Sequence, residues 1–259
     1  MGTGMEQINI NGLAVDVHMA GRGSALLFLH AEEFFAQQRP WLDELARHFH
    51  VVAPRLPGFG CTPLPDGFRT IGDLSYFTLD LIAALKLRDV TLVGASMGGW
   101  VATDLCVKST HDIARLVLVG AVGVKFGDRE DRDFADLYAL PAQDAIQRLF
   151  HKPDQWLPDH TRINDDQALE IARDRQSAAL YLWKPYMHDP ALRKWLHRIR
   201  VPALVIWGEH DGFVDASHAV RLAQALPDAR TRLIAAAGHY PQIEQADQTA
   251  AAVVEFAQG

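Results

Sequence analysis

The stretch Val90-Thr-Leu-Val-Gly94-Ala95-Ser96-Met97-Gly98-Gly99-Trp100 constrains the fold of this chain more than any other. It is an apolar run of the kind that makes a buried strand, and Trp100-Val101 with Leu105 beyond it fall at helical spacing, so the sequence predicts strand, sharp turn and helix in quick succession. A serine at such a turn is lifted out of the hydrogen-bonded ladder with strained dihedrals, and its hydroxyl points up from the carboxyl end of the strand. Gly94 and Gly98 flank it where side chains would crowd the turn. At ordinary Gly and Ser frequencies, G-x-S-x-G arises by chance roughly one time in ten in a chain of this length. Its placement between Leu92-Val93 and a helical face makes Ser96 a candidate nucleophile rather than an ordinary turn serine.

The rest of the chain repeats the strand-then-helix rhythm. Alternation around Asn11-Gly12 predicts an opening antiparallel hairpin. Ala25–Leu29, His50–Ala53, Ala114–Val119, Ala203–Trp207 and Thr231–Ile234 read as strands, and the continuous apolar runs among them suit a parallel sheet covered on both faces. Helical spacing covers Trp41–Phe49, Thr70–Leu87, Met97–Lys108, Ala216–Leu226 and Asp247–Ala257. The order predicts an α/β protein with a mostly parallel, doubly wound sheet of about eight strands, whose ligands bind beyond the strands' carboxyl ends. Between Gly123 and His188 the rhythm stops. A charged run and scattered aromatics there predict several short helices, so we expect residues 1–122 and 189–259 to form the core and residues 123–188 a helical cap inserted over the site.

A net charge of −7, from 25 basic and 32 acidic residues, disfavours nucleic acid and anionic membranes as partners and favours a small-molecule substrate. The first residues show no basic region followed by an apolar run, and no apolar window approaches the ~18 residues of a membrane span. The expectation is a cytoplasmic monomer or homodimer. Cys61 and Cys106 stand in no metal-binding spacing, and no cofactor or metal is expected.

A serine hydroxyl needs a base to take its proton, and that base needs a carboxylate to fix its tautomer. Gly208-Glu209-His210-Asp211-Gly212 leaves the strand ending at Trp207, which puts Asp211 at a carboxyl end with Glu209 and Asp215 as rivals. Ala237-Gly238-His239-Tyr240-Pro241 leaves the last strand in the same way. The chain order Ser96, Asp211, His239 is that of α/β-hydrolases. Nearly the whole chain resembles that superfamily, through the elbow G-A-S-M-G-G, the acid turn W-G-E-H-D-G, the histidine turn G-H-Y-P-Q-I-E, the loop L-P-G-F-G and the helical insertion. The resemblance implies a Ser96-His239-Asp211 triad. It also implies an oxyanion hole made by the backbone N–H groups of Met97 and Glu32, two positions beyond His30.

Two departures stand out. Ala31 and two glutamates occupy a loop that commonly begins His-Gly, and Arg55 stands where relatives often carry Asp. A carboxylate beside a developing oxyanion is unfavourable, so Glu32 is expected to turn away, with Arg55 pairing one of Glu32 or Glu33. Phe34, Phe134, Tyr138, Phe150, Trp156, Tyr181, Trp183 and Tyr240 are candidates for an apolar substrate pocket. The leading expectation is a serine esterase that cleaves a small apolar ester or related acyl substrate. Alternatives are a carbon–carbon hydrolase of aromatic ring-cleavage products and, in another class, a hydrolase-like ligand receptor with little turnover. Members of the carbon–carbon group usually carry Asn before the serine and Trp after the histidine, where this chain has Ala95 and Tyr240.

Overall fold

The computed structural model describes residues 5–128, 130–156 and 163–259. Its first two strands, β1 (Met5–Ile10) and β2 (Leu13–Ala20), form the predicted hairpin. Asn11 and Gly12 both take positive φ, as the two central residues of a tight hairpin turn must. The remaining strands are β3 (Ala25–Leu29), β4 (His50–Pro54), β5 (Val90–Ala95), β6 (Ile113–Val119), β7 (Ala203–Gly208) and β8 (Ala229–Ile234). They build one eight-stranded sheet in the order β1-β2-β4-β3-β5-β6-β7-β8, antiparallel at β1-β2 and β2-β4 and parallel elsewhere.

Strand order reverses beside β3: the chain steps to β4 on one side of it and then crosses to β5 on the other. A crevice opens above the strand ends at such a switch point. The loops after β3 and β5 carry Glu32 and Ser96, so topology alone brings these residues together.

Helices α1 (Arg39–Leu45), α2 (Ile71–Ala84), α3 (Met97–Lys108), α6 (Ser217–Ala225) and α8 (Ala246–Gln258) accompany the sheet, with the short α7 (Pro241–Glu244) before the last. The start of α2 is fixed by a capping box, in which the Thr70 hydroxyl accepts from the Asp73 N–H and the Asp73 carboxylate accepts from the Thr70 N–H. β5 is buried along its whole length, which explains why its sequence is a continuous apolar run without alternation. No helix among the described residues is long and apolar enough to cross a membrane.

Between β6 and β7 the chain forms α4 (Ala142–Leu149) and α5 (Asp165–Leu182). The two ends of this excursion meet, as the Gly123 N–H donates to the Met187 carbonyl at 2.9 Å and the Asp189 N–H to the Gly123 carbonyl at 3.0 Å. The excursion is also fastened to the loop after β4. The buried Arg55 guanidinium donates to Asp174 on α5 at 2.7 and 2.9 Å and to Glu170 at 2.9 Å, while the Gly60 N–H donates to Asp174 at 2.7 Å. Ser177 and Tyr181 donate their hydroxyls to the carbonyls of Gly58 and Pro57.

This corrects the pairing expected for Arg55. Its side chain runs along the face of Phe35, 4.5 Å from the ring centre, to α5 and to neither Glu32 nor Glu33. Glu33 instead pairs with Arg175 at 3.2 Å. Breaking a buried pair by removing one partner strands the other charge, which typically costs about 3–5 kcal/mol. Glu170 is half exposed and adds little. Arg55→Leu should therefore lower unfolding stability by about that amount, and Arg55→Leu with Asp174→Leu should recover much of it. Urea denaturation of the single and double variants checks this, and a single variant as stable as the parent would contradict it.

Candidate active site

Ser96 directly follows β5 with φ 47° and ψ −113°, a conformation that side chains rarely accept. The turn exists because its neighbours are glycines. A Cβ on Gly98 would overlap the Leu29 and His30 carbonyls of the next strand, and one on Gly94 would overlap the backbone of Gly98. The Ser96 N–H donates to the Val119 carbonyl at 2.9 Å, and its own carbonyl accepts from Gly99 and Trp100, the first turn of α3.

The hydroxyl thus presented meets His239. Oγ lies 2.9 Å from Nε2, and Nδ1 lies 2.7 Å from the Asp211 carboxylate oxygen Oδ2. The carboxylate fixes the tautomer: Nδ1 carries the proton and Nε2 is free to accept from Ser96. Asp211 is itself held, because its other oxygen accepts from the Phe213 and Val214 N–H groups at 2.9 Å each. Its rivals are elsewhere, Glu209 exposed and Asp215 engaged with the Ser217 N–H. His210 turns outward and stacks on His151. Burial alone would lower the pKa of His239, but the charge and hydrogen bond of Asp211, with the charge of Glu32, outweigh it and raise the pKa above the ordinary value.

The loop after β3 departs from expectation. The carboxylate of Glu32 does not turn away. It is buried beside the elbow, with Oε1 accepting from the Tyr240 hydroxyl at 2.8 Å and Oε2 reached by the Met97 N–H at 3.4 Å. With Arg55 committed to α5, Tyr240 is the strong donor within reach. The side chain of Glu32 therefore stands at the amide that the resemblance assigned to the oxyanion.

His30, at the root of this loop, keeps the loop in place. Its Nε2 accepts from the Leu56 N–H at 3.0 Å and its Nδ1 lies 2.6 Å from the Ala31 carbonyl, so the proton sits on Nδ1. Burial, and then the charge of Arg55, push its pKa down to about 3.

The aromatic candidates divide. Phe34, at φ 63°, stands edge-on to both Phe150 and Tyr240, and Phe150 stacks on Trp156. Beside Phe34 opens a cleft of about 460 Å³ whose walls include Phe34, Phe35, Trp156, Arg55 and Arg175. Tyr240 is buried beside His239. Phe134 is buried against Phe213 and His218, and Tyr181 is stacked on Phe59, so packing within the fold consumes both. Tyr138 and Trp183 meet edge-on at the outside, 45% and 59% exposed, and line no part of the cleft.

Sequence reasoning missed Glu244 as a brace. Its carboxylate accepts from the N–H groups of Gly238, His151 and Lys152, and so ties the turn before His239 to the excursion. The Leu149 carbonyl accepts from the His239 N–H at 2.7 Å, and the Arg148 carbonyl from Gly212 at 3.0 Å. In the sequence Glu244 closes the histidine-turn motif and, with Gln242, favours the carbon–carbon hydrolase alternative, but nothing there assigns it a structural role. Asp174, Glu170 and Arg175 carried no sequence signal, because they lie in an ordinary polar helix face.

A sheet of this order with a serine elbow at the switch point defines an α/β-hydrolase. Residues 26–252 match the sequence model of the alpha/beta hydrolase family, and the chain belongs to that family and is an enzyme of the hydrolase class. Its relatives include the 2-hydroxy-6-oxo-2,4-heptadienoate hydrolase of Pseudomonas putida, 28% identical over 257 residues that cover 90% of this chain and 89% of the relative. The 2-hydroxymuconate semialdehyde hydrolase of a Pseudomonas species is also 28% identical, over 95% of this chain and 90% of its own length. Among solved structures, a serine hydrolase involved in carbazole degradation superposes with a TM-score of 0.80 at 23% identity, covering 98% of both chains.

The buried histidines make stability depend on pH. The pKa of His218, in an aromatic nest of Phe126, Phe134 and Trp207, is pushed down to about 4, chiefly by burial and then by Arg221. Below about pH 6.5 the unfolded chain takes up protons that folded His30 and His218 refuse, so it binds more protons than the native state. Stability should then fall as pH drops from about 6.5 towards 4, by up to about 1.4 kcal/mol per pH unit for each such histidine. Denaturation midpoints at a series of pH values should show this slope, reduced in His218→Phe. An unchanged slope in that variant would contradict the assignment.

Proposed function

We propose that this chain is a serine hydrolase in which Ser96 is the nucleophile, His239 the general base and Asp211 the residue that orients His239. The bond cleaved is an acyl–carbon bond in a small ring-cleavage product of the vinylogous diketone type. One observation carries the first part, the continuous hydrogen-bonded line from Asp211 through His239 to Ser96, at 2.7 and 2.9 Å in a buried setting. For the bond, support comes from relatives of 28% identity over nearly their whole length that are named for dienoate and semialdehyde substrates. They reverse the order in which the sequence ranked ester and carbon–carbon cleavage.

Ser96 Oγ adds to the keto carbonyl while its proton passes to Nε2 of His239. The imidazolium so formed is stabilised by Asp211. In the diketo tautomer the carbon–carbon bond then breaks, its electron pair passes through the conjugated alkene onto the far carbonyl oxygen to give an enolate, which leaves as the enol with the proton from His239, and Ser96 keeps the acyl group. Water, deprotonated by His239, releases the acyl group as a carboxylic acid. The chain's own contribution is position and charge, because the elbow holds Oγ in place and α3 presents the Met97 N–H at its positive end.

Residues 123–188 act in this reading as a cap, tied to the turns of both Asp211 and His239 through Arg148 and Leu149. The cleft lined by Phe34 has aromatic walls, which suits a partly apolar substrate. Ester hydrolysis is the second reading, favoured by Ala95 and Tyr240, and it uses the same steps with an alkoxide in place of the enolate.

Adding the enzyme to a yellow 2-hydroxy-6-oxo-dienoate should bleach it, at a kcat/KM at least tenfold above that for p-nitrophenyl esters of matched acyl size, a difference of about 1.4 kcal/mol. A dienoate that stays yellow while the esters are turned over would put the ester reading first. Ser96→Ala should abolish turnover without loss of stability. Ser96→Ala combined with His239→Ala should lower the rate little further than either alone, since such residues act as a unit. Additive losses would mean that the two residues serve separate functions.

A further inference from the structure

The cleft beside Phe34 does not open onto the triad. Among the described residues that wall it, none belongs to the relay from Asp211 to Ser96, and neither Glu32 nor Met97 is there. Ser96 and His239 are both buried, so a substrate carbonyl reaches Oγ only after something moves. A line of ring contacts leads from the cleft to the relay. Phe34 lines the cleft, its ring centre lies 5.6 Å from that of Tyr240, and Tyr240 lies 4.9 Å from the imidazole of His239. Phe150 completes the cluster, 5.2 Å from Phe34 and 5.5 Å from Tyr240.

Two of these three rings are pinned. Tyr240 is buried, donates its hydroxyl to Glu32, and accepts at its carbonyl from the Ile243 and Glu244 N–H groups in the first turn of α7. Phe150 is buried too. Its N–H donates to the Ile146 carbonyl at the end of α4, and its neighbours on both sides are bonded around the histidine turn, Leu149 to the His239 N–H and His151 to Glu244. Phe34 is only half-buried, and edge-on ring contacts hold its side chain. Its backbone stands at φ 63°, a left-handed conformation that is strained for a residue with a side chain, and the Gln38 amide bonded to its carbonyl at 3.2 Å helps to keep it there. A weakly held ring on a strained backbone is the member of the cluster that gives way.

We propose that Phe34 is a specificity-determining residue, a gate whose ring closes the way from the cleft to Ser96 and whose displacement admits the substrate's reacting carbonyl. This deepens the serine hydrolase reading of the same site and rests on Ser96 being the nucleophile. When the Phe34 ring swings aside, Tyr240 and Phe150 stay, and the opening it leaves is about one ring wide between fixed aromatic walls. Such a slot passes a flat, unbranched chain, as in a conjugated dienoate, and resists a group that is branched or fused directly beside the reacting carbon. Phe34 therefore selects by width at the bond to be cleaved, while the cleft holds the more distant part of the substrate.

The test compares two serine-directed sulfonyl fluorides of different width. Phenylmethanesulfonyl fluoride carries a slim methylene beside its sulfur, and dansyl fluoride carries a fused, substituted ring there. With either probe Oγ bonds to sulfur, fluoride leaves and the Oγ proton passes to His239, so mass spectrometry of the peptide containing Ser96 gives a second-order rate constant for each. The intrinsic reactivity of a probe cancels when variant and parent are compared. Phe34→Gly removes the ring and accepts positive φ, so the loop keeps its course. In that variant the dansyl rate constant, taken relative to the phenylmethane one, should rise about tenfold over the parent. A ratio that does not rise overturns the proposal, and so does a parallel loss with both probes, the mark of a residue that only shapes its loop. Should Phe34→Gly fail to fold, Phe34→Leu decides: a ratio no higher than the parent's overturns the proposal. Labelling of Ser96 at a ratio indifferent to residue 34 refutes the gate alone. Ser96 left unlabelled by both probes in the parent and in every variant refutes the serine hydrolase reading and the proposal with it.

Discussion

Ser96 sits at φ 47° and ψ −113° in a turn that the chain would not adopt unaided, at a strain on the order of 1–3 kcal/mol. The strain is held by backbone on every side. The Ser96 amide is fixed to β6, its carbonyl caps the first turn of α3, and the Leu29 and His30 carbonyls lie where any side chain at residue 98 would go. β5 can support this because its flanking strands β3 and β6 are in parallel register on either side. From the turn follow the aim of Oγ at His239, the position of the Met97 N–H, and the crevice that receives the loops of Glu32, Asp211 and His239.

Around that turn the structure manages buried charge by pairing it. Asp211 has two backbone donors and an imidazole, Asp174 has a guanidinium and a backbone donor, and Glu244 has three backbone donors. Each of these carboxylates joins segments far apart in sequence, so a function in electrostatics is also one in architecture. The excursion from 123 to 188 is thereby held at its base, along α5 and against the His239 turn. Glu32 differs from the rest. Its strong partner is a neutral phenol, and its second donor is the amide on which the chemistry depends.

Local pattern was enough to read the elbow, the sheet class and the turns that bear Asp211 and His239, because short-range sterics and periodicity dictate all of these. The strand-to-helix change at Ser96 is written in consecutive residues, and strand ends are where this fold places chemistry. The orientation of Glu32 was not legible. It is decided by Tyr240, 208 residues away, and by Arg55 finding Asp174, 119 residues away on a helix with an unremarkable polar face. Reasoning from charge alone paired Arg55 with the nearer glutamates, since nothing in the sequence placed α5 against the β4 loop. The pocket aromatics divide for a related reason: composition says that Phe34, Trp156, Phe134, Tyr181 and Trp183 are large and apolar, and only packing puts the first two at a cleft and not the others.

The account stands or falls on a covalent acyl group at Ser96. Rapid acid quench during turnover of the best dienoate or ester substrate, followed by mass spectrometry of the peptide that contains Ser96, measures it directly. The account predicts a mass increase equal to the acyl fragment on that peptide, appearing within the first turnover and absent in Ser96→Ala. Full product formation in the first turnover with Ser96 never modified, and turnover persisting in Ser96→Ala, would contradict it.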